Sequence, residues 1–139
     1  MFCGLFALAS AAGKESRMPI DYVNPLIGNI SHLLVPTFPT VHLPNSMLRV
    51  CPERGDYTTD QIRGLPVAIT SHRGSSAFNI SAEQGNESNL TPVKQYAYDL
   101  EKIFPYRYTA YLDEAQIGVD YAPSHHSGLY ELTFEKPGK

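Results

Sequence analysis

Five histidines, two cysteines and fourteen carboxylates carry the chemistry open to this chain of 139 residues. The group Ser71-His72-Arg73-Gly74 stands out, because it follows the apolar run 65–70 directly and ends on a glycine. A His and an Arg at the end of a strand project toward a ligand. Arginine offers a planar fork of donors, and imidazole donates or accepts near neutral pH. Both suit sugar hydroxyls, which makes His72 and Arg73 candidate substrate-binding residues. The same residues fit a loop held by local hydrogen bonds equally well. Ser71 and His72 do not read as a nucleophile and its base. Neighbours on a strand face apart, and no acid is placed to orient the imidazole.

The remaining groups offer less. His125-His126 follow Pro123 in an expected turn. On a strand they would point to opposite faces, and a zinc site wants tighter and more numerous ligands. Glycoside hydrolysis needs two acids across the scissile bond, ~5 Å apart for retention and roughly 6.5–9.5 Å for inversion. No such pair is identifiable. Glu53, Asp56 and Asp60 share one polar loop, and Asp113-Glu114 reads as a hairpin turn. No catalytic or metal-binding residue is assigned on these grounds. There is no Gly-rich phosphate loop. The sequons at Asn29, Asn79 and Asn86 are too short a pattern to be specific. Cys51 reads as a small buried hydrophobe rather than a nucleophile.

The elements that must position these groups are strands. Tyr96/Tyr98/Leu100, Tyr106/Tyr108/Ala110/Leu112, Ile117/Val119/Tyr121 and Tyr130/Leu132/Phe134 each alternate with more polar neighbours. Leu65–Ser71 places Val67 and Ile69 on one face, and Ala77–Ser81 places Phe78 and Ile80 on one face. Met47–Cys51 is a further strand candidate, while Glu53–Gly64 reads as a loop. Period-two alternation with regularly spaced turn residues predicts an all-β, antiparallel β-sandwich. Pro25, Pro36, Pro39 and Pro44 make residues 20–46 a loop-rich opening.

Composition narrows the function classes. A net charge of −3 without a basic stripe argues against nucleic acid. No apolar run reaches the ~20 residues of a membrane span. Residues 2–12 resemble the apolar core of a secretory signal, with Ala9-Ser10-Ala11 as its cleavage site. Residues 1–17 are therefore expected to be a signal peptide and linker, with a domain over 18–139. That predicts a secreted or periplasmic protein. Cys3 follows Phe2 and is a poor lipid-anchor site.

Asp21-Tyr22-Val23-Asn24-Pro25-Leu26-Ile27-Gly28 resembles the opening of the N-terminal domain of glycoside hydrolase family 92, the secreted calcium-dependent α-mannosidases. Pro44-Asn45-Ser46-Met47-Leu48-Arg49-Val50-Cys51-Pro52 stands where the family has its second motif. Ile69-Thr70-Ser71-His72 matches a strand ending in a Ser-His pair, and Gly128–Phe134 resembles a later strand. The likeness covers roughly residues 20–137 and is most specific in the opening run. Asn45-Ser46 replaces a Phe-Gly pair, the family's Gly-rich stretch is replaced by residues 29–40, and there is no Trp.

The resemblance implies a β-sandwich followed by a long helical domain. It places the general acid, the general base and most calcium ligands in that second domain. On this reading the chain carries one wall of a carbohydrate site, with His72 and Arg73 as its contacts. No calcium is expected on this chain alone, and the sandwich would lack its C-terminal strands. Its partners are mannose-containing glycans or related glycosides and the helical catalytic domain. The alternative is a free-standing secreted β-sandwich that binds glycans or a partner protein without catalysis.

Overall fold

A computed structural model describes residues 17–30, 37–54, 59–69, 76–84 and 95–136. Where apolar and polar residues alternate, the chain forms strands: β1 (Gln61–Arg63), β2 (Leu65–Ile69), β3 (Ser76–Ile80), β4 (Gln95–Phe104), β5 (Arg107–Leu112), β6 (Ile117–Pro123) and β7 (Gly128–Phe134). The only helical piece among the described residues is a 3-10 turn at Pro19–Tyr22. The strands make a five-stranded sheet in the order β1-β4-β5-β6-β7 and a two-stranded sheet of β2 and β3. Every pairing between strands is antiparallel. The fold is all-β, as the alternation predicts.

One face of the larger sheet is the core. Tyr108, Ala110 and Leu112 of β5 and Ile117, Val119 and Tyr121 of β6 are buried, while their neighbours are not. Burying a large apolar side chain contributes roughly 1.5–3 kcal/mol, so this stripe dominates the stability of the sheet. The smaller sheet lies against that inner face. Leu65 of β2 joins the core cluster, and the Tyr130 hydroxyl on β7 donates to the Pro66 carbonyl at 2.6 Å. The Tyr121 and Tyr130 rings meet with centroids 4.5 Å apart. Gly128 makes room for them, since a Cβ there would sit 2.6 Å from the Tyr121 ring. Tyr96 ties down the segment before β4 by accepting from the Ala82 N–H at 2.8 Å and donating to the Ala82 carbonyl at 2.7 Å.

Four local expectations are corrected. Met47–Cys51 is not a strand but a single bridge, Val41 to Val50, because prolines on both sides remove the backbone donors a longer ladder needs. The stretch read as loop contains β1, whose three residues bury only Ile62 and so leave no alternation to detect. In β4, Leu100 is not on the core face. Asp99 pairs with Tyr111 and Lys102 with Thr109, so two β4 residues, Leu100 and Glu101, oppose Ala110 alone. This bulge leaves Leu100 77% exposed at φ 54° and turns Glu101 inward. Phe78 of β3 is also largely exposed.

Candidate functional site

The opening run folds as a chain of local hydrogen bonds. Asp21 accepts from the Met18 N–H at 2.8 Å, and the Asn24 side-chain oxygen accepts from the Leu26 N–H at 2.9 Å. Asn favours this geometry because its short side chain mimics a backbone turn. Gly28 then takes φ 80°, a left-handed conformation that a side chain would oppose. Its carbonyl accepts from the Thr37 N–H at 2.9 Å, and Thr37 Oγ1 donates to the Ile27 carbonyl at 3.0 Å. A Cβ on Gly28 would sit 2.9 Å from Thr37 Oγ1. The Asn and Gly of the run are thus fixed by backbone geometry. Its apolar residues are not in the core, since Tyr22, Val23, Leu26 and Ile27 are exposed.

Both motif segments are tied to one end of the large sheet. The Tyr106 hydroxyl, in the turn between β4 and β5, donates to Asp21 at 3.4 Å. In the second motif Asn45 takes φ 58°, which Asn tolerates better than most residues. Ser46 Oγ donates to the Ser124 carbonyl at 3.0 Å, and the Met47 N–H donates to the His125 carbonyl at 2.8 Å. Those partners lie in the turn between β6 and β7, which stands at the same end of the sheet as the β4–β5 turn. His42 joins the cluster by a 3.1 Å hydrogen bond between its Nε2 and the Ser46 carbonyl. His125 and His126 are exposed in this turn, and His126 Nδ1 lies 3.1 Å from Met47 Sδ.

β2 reaches toward the same cluster, since the Ile69 N–H donates to the Arg49 carbonyl at 2.9 Å. The connection from Ile69 to Ser76 carries Ser71, His72, Arg73 and Gly74. His72 and Arg73 lie outside the described residues, and only the strand ends that bracket them are placed. Between those ends and the second motif is a small cleft lined by Phe38, Cys51, Pro52, Glu53, Ile69 and Ser76. Cys51 is buried at its base, and burial pushes its thiol up to about 12. A thiol so hard to ionise is no nucleophile at neutral pH.

An ion pair missed from the sequence lies beneath the sheet. The Arg54 guanidinium bonds to the inward-turned Glu101 carboxylate, and both side chains are largely buried. Arg54 also stacks over the Tyr98 ring at 4.9 Å. Burial raises the Glu101 carboxyl, and Arg54 partly offsets this. The Tyr108 hydroxyl is buried beside the Glu101 carboxylate, and burial raises it well above its ordinary value. One signal was legible: the buried phase of Tyr96 and Tyr98 passes to Ile103, an odd step that requires an extra residue between them. Arg54, in a polar loop, gave no cue.

No group of three or more His, Cys, Asp or Glu among the described residues is arranged to hold a metal ion. No helix among the described residues is long and apolar enough to cross a membrane.

The family model described as the glycosyl hydrolase family 92 N-terminal domain matches residues 22–139. The chain belongs to that family, as its N-terminal domain. The match begins at Tyr22, inside the opening run whose Asn24 and Gly28 geometry is described above. A comparison with curated proteins finds no match. Membership in family 92 implies a glycan substrate in general, and the domain's loops at one sheet end are the region its signature residues build.

Proposed function

We propose that this family 92 domain forms one wall of the carbohydrate site of a secreted, calcium-dependent, inverting α-mannosidase. The general acid, general base and calcium ligands belong to a second, helical domain. The observation that carries this reading is the position of the family signature. The opening run and the second motif converge on one end of the sheet through Asp21–Tyr106 and Met47–His125 contacts. The opening run also exposes Tyr22, Val23, Leu26 and Ile27. Apolar side chains left exposed close together in sequence offer a surface that a second domain can cover. His72 and Arg73, which follow Ile69 in the sequence, then supply donors to sugar hydroxyls.

Inversion needs one acid to protonate the leaving oxygen and one base to activate water on the opposite face. When bound, calcium supplies a hard cation for the sugar hydroxyls. This domain's share is to orient the glycan and exclude water from its side of the cleft. In the full-length enzyme His72→Ala is expected to cost about 1–3 kcal/mol in kcat/KM on an α-linked mannobiose, the cost of stranding a buried polar partner, with unchanged thermal melting. Unaltered kinetics would remove His72 from the site. Hydrolysis of the same sugar by the 139-residue chain alone would overturn the placement of the catalytic acids.

A further inference from the structure

The face of the five-stranded sheet that turns away from the core carries a groove of about 390 Å³. Strand register explains its shape. One row across the sheet is Tyr111 of β5, Gly118 of β6 and Thr133 of β7. The next row is Lys102 of β4, Thr109, Asp120 and Glu131. Gly118 leaves the floor open, since a Cβ there would meet only Thr133, at 3.6 Å.

Tyr111 crosses this floor. Its hydroxyl donates to Glu135 Oε1 at 2.6 Å, just past the end of β7 and two strands away. Strands lie about 4.8 Å apart, so the side chain must lean across β6 to reach that partner. The ring is held at both ends and stays accessible. Around it stand hydrogen-bonding groups of both kinds. The Lys102 ammonium makes no ion pair with any described residue. Asp120 is held in place by Arg107, whose Nε lies 3.0 Å from each carboxylate oxygen. The Thr109 and Thr133 side chains also line the groove, and exposed Leu100 from the β4 bulge forms its far wall.

We propose that this groove is a second carbohydrate-binding platform, in which a neutral pyranoside lays its apolar face on Tyr111 and hydrogen-bonds to Lys102 and Asp120. A pyranose has an apolar C–H face and a rim of hydroxyls, and a fixed aromatic plane bordered by a donor and an acceptor matches both. The platform is distinct from the strand-end site. β2 packs on the inner face of the sheet through Leu65 and the Tyr130–Pro66 hydrogen bond, whereas the groove is on the outer face. Asp120 is already engaged by Arg107, so its part is to accept a hydrogen bond from a sugar hydroxyl.

The test is a two-dimensional 15N–1H NMR titration of the 139-residue chain with an α-linked mannobiose. Saturable shifts are expected at the amides of Tyr111, Gly118 and Thr133. Tyr111→Ala is expected to weaken binding at least tenfold, and Gly118→Leu to abolish it by filling the floor. Lys102→Ala, on an exposed and flexible side chain, carries the test should Gly118→Leu lose its spectral dispersion. His72→Ala should leave these shifts unchanged, which separates the platform from the strand-end reading. No shift at the three amides overturns the proposal. So does their displacement on concentrating the sugar-free protein, which would make the groove a contact between two copies of this chain.

Discussion

The five-stranded sheet and the loops that cap one of its ends are held together by different means. In β5, β6 and β7 the backbone ladder does the joining, and the sequence need only keep apolar residues in phase. Many residue choices satisfy that, since cores accept apolar exchanges that conserve volume. The capping loops have almost no ladder. They rest on single atoms: the Asn24 side-chain oxygen, Thr37 Oγ1, Ser46 Oγ and the missing Cβ of Gly28. Each contact needs one residue type at one position. This difference teaches why the specific motifs of the sequence lie in the loops, while the sheet shows only a period.

The comparison breaks first at Glu101, where the sheet also depends on a specific buried charge partner. Glu101→Ala strands a buried guanidinium and is expected to destabilise the domain by about 3–5 kcal/mol in urea unfolding. Arg54→Met combined with Glu101→Leu should recover most of that loss, as removing both charges removes the penalty. If the single variant unfolds no earlier than the parent, the pair is solvated and the sheet is uniform after all. On the loop side, Gly28→Ala forces a side chain into φ 80° against Thr37. The expected cost is about 1–3 kcal/mol in thermal melting, and a neutral result would show that the opening run is not a fixed structure. The smallest effect is Ser46→Ala. Loss of its link to the β6–β7 turn is expected to cost about 0.5–1.5 kcal/mol, with faster amide exchange confined to residues 45–48 and 124–127.

How much was legible follows from the same contrast. Alternation from Tyr106 to Phe134 gave β5, β6 and β7 nearly residue by residue, because a strand half-buried in a sandwich writes its faces into the sequence. The Asp113-Glu114 turn between β5 and β6 was equally plain. β1 was not, since a strand with one buried residue has no period. Met47–Cys51 misled because Val50 joins the hydrophobic core from a single bridge to Val41 rather than from a strand. For the candidate site, residue types pointed to His72 and Arg73, which lie outside the described residues. The convergence of the two motif segments was invisible, because Asp21 meets Tyr106 and Met47 meets His125 across most of the chain.

The bulge in β4 has a meaning for chain length. Leu100 is the surplus residue, so a β4 without it would set Glu101 directly opposite Ala110 and keep Tyr96, Tyr98, Glu101 and Ile103 on the inner side. Removing one residue from a strand ordinarily swaps its two faces from that point on. At this position it restores a regular ladder instead. The strand therefore has a joint at which length can vary by one while the core pattern persists. What would change is the outside: the extra twist, and the wall that Leu100 raises beside Lys102.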